Sequence, residues 1–163
     1  MDAYHTVAEI AAALLGFAGI VVAIAASRPS SGSDIATWST RTLPGIFLPG
    51  LSAILFAYLP DLLFGGRPEN VVQWRVACGV FGMVHLVESM SPIWLNRASG
   101  EAVRSGLVWI ISVSQLAIWP KIVVALGWFT EFAYQVYLLG LLWYLVIMVG
   151  SFLNFVQRIG DPR

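Results

Sequence analysis

Residues 130–156 read TEFAYQVYLLGLLWYLVIMVGSFLNFV. Glu131 is the single charged side chain in this stretch, and the next along the chain is Arg158. At about 1.5 Å of rise per residue, about 20 mostly apolar residues cross a hydrocarbon core of about 30 Å. Thr130 to Val156 exceeds that length. A helix is the form it must take, because backbone N–H and C=O groups in lipid find partners only within a helix or a closed barrel.

Working outward, four more stretches meet the same test, roughly 6–26, 43–64, 72–95 and 106–128. The whole chain shares their character. Its 163 residues are 58% hydrophobic and 11% charged, with mean hydropathy +0.80, whereas a soluble domain is about 45–50% apolar and about 25% charged. The expectation is an all-α integral membrane bundle of about five transmembrane helices, forming one domain over 1–163. Ser27 to Thr42, rich in Ser, Pro, Gly and Asp, reads as a solvated loop. Gly65-Gly66-Arg67-Pro68-Glu69-Asn70 reads as a helix stop and restart. Asn96 to Ser105, with Arg97, Glu101 and Arg104, separates the third and fourth spans. The break at Gly127 to Glu131 is the weakest, and without it the count would be four.

Basic residues in short loops stay on the cytoplasmic side. Arg28, Arg41, Arg97, Arg104, Arg158 and Arg163 fall on one side and Arg67 and Arg75 on the other, so the N-terminus is expected outside and the C-terminus inside. Tyr4 and Trp128 near one face, and Trp38 and Trp94 near the other, suit interfacial belts. Ala23-Ile24-Ala25-Ala26-Ser27 has the form of a cleavage site, but Asp2 and Glu9 suit a retained helix better. Nine basic and nine acidic side chains balance to zero, which excludes an electrostatic nucleic-acid binder. Cys78, the one cysteine, has no partner for a disulfide or a metal motif. No internal repeat supports an inverted-repeat transporter.

Charge in mid-membrane is expensive, so ionisable residues there face protein or a wet cavity. In the third span His85 and Glu88 lie near the bilayer centre, three apart and so on one face. Arg75, Cys78, Gly82, His85, Ser89 and Pro92 recur at spacings of three and four, a small or polar stripe expected to face inward. Two readings stand: His85 and Glu88 lock the packing by hydrogen bonds, or they exchange a proton or bind a cation. Lys121 follows Pro120 in the fourth span, with Gln115 nearer the centre. Proline removes a backbone donor, and the freed carbonyls could hold a ligand. Lys121 either snorkels to the outer interface or meets an acid, with Glu9, Asp61 and Glu131 on the same outer side and Glu88 as candidates beside water.

In the first span Ala8, Ala12, Gly16, Gly19 and Ala23 form a small-residue stripe that allows close helix approach. Glu9 beside it is expected to face a neighbouring helix, with His5 one turn earlier. His5, Glu9, His85 and Glu88 have donor types suited to zinc or iron, but the first pair lies near the outer interface and the second near mid-membrane, so no metal site is assigned. In the fifth span Thr130, Tyr134, Tyr137, Tyr144, Met148 and Ser151 share a face. This is an aromatic seam or a polar lining whose hydroxyls reach Glu88, His85 or Gln115. Pro44-Gly45 and Pro49-Gly50 are expected to break or bend the second span, as a hinge or an unwound cavity lining.

Glu9-Ile10-Ala11-Ala12, then Gly16-Phe17-Ala18-Gly19-Ile20-Val21, Leu59-Pro60 and Trp74-Arg75 together resemble a pattern in small bacterial multi-pass membrane proteins. The resemblance covers the first half of the chain and implies a bacterial inner-membrane location. It brings no activity and no residue roles.

P-loop, Gly-x-Ser-x-Gly, His-Glu-x-x-His, dinucleotide and potassium-filter motifs are all missing. The leading expectation is therefore a channel or transporter for a proton, cation or small solute, oligomeric because five helices barely surround a pore. Its polar pocket would comprise Glu88, His85, Lys121, Glu9, Gln115, Tyr134, Tyr137 and Asp61. The lipid bilayer and a second copy or a membrane partner protein are the expected partners, and no cofactor is assigned. The competing expectation is a non-catalytic subunit or scaffold whose polar residues satisfy one another. A lipid- or quinone-handling enzyme is a third class, resting only on His85, Glu88 and the tyrosines.

Overall fold

The computed structural model describes residues 3–27, 32–65, 68–98 and 105–160, with side chains at 3–24, 27, 46–65, 68–90 and 113–157. Arg28, Arg41, Arg67, Arg97, Arg104, Arg158, Arg163, Trp38, Trp94, Pro92 and the Pro44-Gly45 pair lie outside the described side chains.

Among the described residues five α-helices run in the order α1 (Ala3–Ala26), α2 (Gly32–Phe64), α3 (Val71–Ala98), α4 (Ser105–Ala125) and α5 (Ala133–Gly160), with a 3₁₀ turn at Thr130–Phe132 before the last. Among the described residues there is no strand. Four stretches among the described residues are long and apolar enough to cross a membrane: Ala3–Ile24, Ile46–Phe64, Val71–Met90 and Thr130–Gln157. The described apolar part of α4, Val113–Ala125, is shorter.

Helix ends follow local chemistry. At the end of α2, Gly65 takes φ 72° and its N–H bonds to the Asp61 carbonyl at 2.8 Å, the left-handed cap that glycine adopts without a Cβ penalty. Asn70 opens α3: its Oδ1 accepts the Gln73 N–H at 3.0 Å, while Gln73 Oε1 accepts the Glu69 N–H at 2.7 Å. These are the reciprocal bonds of a capping arrangement. At the end of α4 the Gly127 N–H reaches the Val124 carbonyl at 2.9 Å and the Trp128 N–H reaches Val123 at 3.1 Å, with Gly127 at φ 101°. That is a Schellman cap. The weak break at Gly127 to Glu131 is thus a true helix end.

One sequence expectation about α2 is corrected and a second is narrowed. Helix begins at Gly32, so most of the expected loop from Ser27 to Thr42 is helical. Polar residues lower partition into lipid but do not forbid helix, and no proline interrupts until Pro44. Nor do the Pro-Gly pairs break α2, which runs through both. At Gly50 the reason for glycine is contact: a Cβ there would stand 2.7 Å from Leu15 Cδ2 and 2.9 Å from Met148 Sδ.

The chain divides into two compact units, Met1–Tyr58 with Leu141–Arg163, and Leu59–Gly140. In the first, Ala18, Ile46, Met148 and Phe155 form a buried cluster lined by Leu14, Leu15, Val21, Val22, Phe47 and Phe152. Helix α1 therefore buries Tyr4, Val7, Ala8, Ala11 and Ala18. Of the small-residue stripe only Ala8 joins that face: Ala12, Gly16 and Ala23 are exposed, and nothing lies within 4 Å of a Cβ at Gly16 or Gly19. Glu9 is exposed with them, contrary to expectation. Small residues occur on the buried face as well, as Ala8, Ala11 and Ala18, while Ile10, Phe17, Ile20 and Ile24 stay exposed. Tyr4 is buried, edge-on to His5 at 4.5 Å, and His5 stacks on Tyr58 at 5.2 Å.

Candidate functional site

The second unit brings α3, α4, the 3₁₀ turn and the start of α5 together. Glycine sets the approach of α3 to α4. A Cβ at Gly82 would stand 3.3 Å from Lys121 Cβ, and one at Gly79 would stand 3.3 Å from Ala125 Cβ. Small residues at such crossings let helix backbones close in, which in lipid replaces hydrophobic drive with packing. Ala77, Cys78, Phe81, Gly82 and His85 form the buried face of α3, much as the stripe predicts.

Onto that face α4 delivers Lys121, which is 0% exposed. Its Nζ lies 3.0 Å from His85 Nδ1 and donates to the Ala117 carbonyl at 2.8 Å. It also sits 4.2 Å from the centroid of the Phe81 ring, a cation–π distance. His85 is 2% exposed and its ring stacks on Phe81. The carbonyl that Lys121 uses belongs to its own helix, one turn back, next to the position that Pro120 perturbs. None of the three partners is a carboxylate. Lys121 therefore does not snorkel to an interface, and in place of an acid such as Glu9, Asp61, Glu88 or Glu131 it meets an imidazole, a carbonyl and a ring. A helix register that aligns residues 85 and 121 decided this, not the count of charges.

Gly140 of α5 closes the site. A Cβ there would overlap Lys121 Cε and would stand 2.8 Å from Nζ and 2.9 Å from Phe81 Cε1. The glycine is the slot through which the lysine stem passes. Tyr137, one turn earlier, packs edge-on to Phe81 at 5.0 Å and to Trp74 at 5.7 Å, and Tyr134 packs on Trp74 at 5.4 Å. In the other unit, Tyr144 stacks on Phe56 at 6.2 Å. The tyrosine face of α5 is thus a seam of ring contacts in each unit.

Other predicted residues scatter. Glu88 is half-buried one turn beyond His85, and Asp61 is half-buried near the end of α2. Gln115 keeps a buried Nε2 without a partner among the described residues, and so does Trp143 Nε1. Ser89 spends its hydroxyl on the Leu86 carbonyl at 2.9 Å, within its own helix. Arg75 lies at the rim, where its Nε donates to the Ala125 carbonyl at 3.2 Å and completes the cap of α4. Cys78 is buried with its thiol 3.6 Å from the Ala133 carbonyl. Among the described residues, no group of three or more His, Cys, Asp or Glu gathers as a metal site would need.

Sequence reasoning missed Phe81, the Ala117 carbonyl and Gly140. Phe81 stands four residues before His85, and Gly140 interrupts a run of leucines three residues after Tyr137. Both signals were present without a partner to interpret them.

Compared with known protein families, curated proteins and solved structures, the chain matches none. The function is therefore argued from the site alone.

Proposed function

We propose that the chain is a multi-pass membrane protein in which Lys121 and His85 accept and pass on a proton, as part of a proton- or cation-coupled channel or transporter. The observation that carries the reading is the 3.0 Å separation of Lys121 Nζ and His85 Nδ1 at a site closed to the outside. Two nitrogens at that distance share one hydrogen, and either can hold it: ammonium against imidazole, or amine against imidazolium. Placing an ammonium in a protein interior costs several kcal/mol after relaxation. A charge-assisted hydrogen bond returns about 1.5–3 kcal/mol and a desolvated cation–π contact about 2 kcal/mol. Cost and return are of one order, which suits a group that changes charge during work. In this reading five helices form one transmembrane domain, N-terminus out and C-terminus in, assembled as a homo-oligomer in a bacterial inner membrane. Glu88, Gln115, Tyr134 and Tyr137 are polar neighbours along the path, and Asp61 lies toward its outer mouth.

The test is proton flux into liposomes holding the purified protein. Wild type should acidify the lumen under a proton gradient. Lys121→Met and His85→Asn should not, while keeping their helix signal. Wild-type flux by Lys121→Met would sink the proposal.

A second reading has its own support. The ammonium is already held by a nitrogen, a carbonyl and a ring, and Gly140 leaves its stem no spare room. That economy suits a structural lock in a membrane subunit or scaffold. It predicts no flux from wild type, a protein partner that co-purifies, and loss of stability in both variants.

A further inference from the structure

The turn from Leu126 to Phe132 joins α4 to α5 and carries large apolar side chains. Leu126, Trp128, Phe129 and Phe132 are all exposed, the first two at 71% and 70%. The turn lies between the end of the apolar part of α4 at Ala125 and the start of the next candidate span at Thr130. Its geometry is held firmly. Gly127 and Trp128 close the helix behind it, and the Phe132 N–H bonds to the Phe129 carbonyl at 3.0 Å. Phe129 itself sits at φ 52°, ψ 38°, a left-handed conformation unusual for a bulky side chain and kept where surroundings over-determine it. Arg75 stands beside this turn. Its guanidinium lies along Gly127, where a Cβ would be 3.1 Å from Cζ and from Nη2. Nε is spent on Ala125, and among the described residues nothing accepts from the two terminal nitrogens.

We propose that Arg75 and the Leu126–Phe132 turn form a phospholipid headgroup site, with the guanidinium holding the headgroup phosphate and Trp128, Phe129 and Phe132 seated among the first acyl carbons. The position fits. Arg75 is four residues into the span that begins at Val71, about 6 Å along the helix. At that depth a cation calls for an anion, and the headgroup phosphate is the one that the membrane supplies. A planar fork with free terminal donors matches two phosphate oxygens at once. Tryptophan settles at headgroup level with its body in the apolar layer. Glu131, exposed in the same turn, sets itself against a purely anionic headgroup and matches one that also carries an ammonium, as phosphatidylethanolamine does. The proposal does not depend on proton exchange at Lys121.

The experiment is native mass spectrometry of the full chain in mild detergent with added phosphatidylethanolamine, phosphatidylglycerol or inorganic phosphate. Wild type should retain phosphatidylethanolamine best, with inorganic phosphate unable to displace it. Arg75→Gln should bind about ten- to a hundredfold more weakly, the range expected for losing a charge-assisted hydrogen bond, and Arg75→Lys should fall between. Should Arg75→Gln fail to fold for want of its cap, Trp128→Ala decides, because its exposed ring has no packing role; it should lose several-fold in retention. Equal lipid retention by wild type and Trp128→Ala, or displacement by millimolar inorganic phosphate, overturns the headgroup site.

Discussion

Gly140→Ala is the sharpest perturbation the structure offers. One added methyl would occupy the path of the Lys121 stem and would lie 2.8 Å from its Nζ and 2.9 Å from Phe81 Cε1. Backbone cannot retreat cheaply from a helix, so the lysine must move, and in moving it gives up His85, Ala117 or Phe81. Overpacking costs about 1–3 kcal/mol, and a broken hydrogen bond to a charged group adds about 1.5–3 kcal/mol. Partial relaxation leaves an expected loss of about 2–5 kcal/mol. The assay is the helix signal during unfolding in mild detergent, read beside Gly16→Ala and Gly150→Ala. Nothing lies within 4 Å of a Cβ at those two positions, so each should change stability by no more than about 1 kcal/mol, toward the stable side by helix propensity. Combining Gly140→Ala with Lys121→Ala reopens the slot. The double variant should then be at least about 1 kcal/mol less destabilised than the sum of its singles. Gly140→Ala unfolding together with Gly150→Ala would refute the slot and the lysine placement with it.

Other outcomes follow from the same geometry. Lys121→Met and His85→Phe should couple by about 0.5–3 kcal/mol in a double-mutant cycle, since each single change strips a buried partner from the other residue; additive losses would mean that the 3.0 Å contact carries no energy. Gly127→Ala places a Cβ on a residue at φ 101° and against the Arg75 guanidinium. It should cost more than about 1 kcal/mol and speed hydrogen exchange at the amides of Gly127 and Trp128, with unchanged exchange counting against the cap. Asn70→Ala should cost about 0.5–2 kcal/mol through loss of the cap on the Gln73 N–H, measured by the same unfolding assay. Cys78, wholly buried, should resist a maleimide in the folded protein and react once it is denatured; rapid labelling of folded material would place it on an open path.

The helices, and those ends that are set by local caps, were legible in the chain because they depend on neighbours in sequence. Apolar length marks a span whatever it packs against. Gly65, Asn70 and Gly127 act on backbone groups within a few residues, so their caps could be read locally. Polar composition misled at Gly32 to Thr42, because it reports affinity for water and helix formation obeys a different balance. The faces of α1 were ambiguous for a related reason. Small residues stand on both faces of α1, Ala8, Ala11 and Ala18 on one and Ala12, Gly16 and Ala23 on the other, and only the helices that pack beside α1 decide which is covered.

By itself, then, the sequence determined that the chain is helical, that α2 stops and α3 restarts around Gly65 to Asn70, and that Lys121, His85 and their stripe needed company. Tertiary structure alone decided the company. His85 and Lys121 stand on different helices, and their meeting depends on how Gly79 and Gly82 let α4 settle on α3 and on how far each helix is turned about its axis. The slot at Gly140 comes from a third helix. No local rule ties those positions together; the packing of three helix surfaces does.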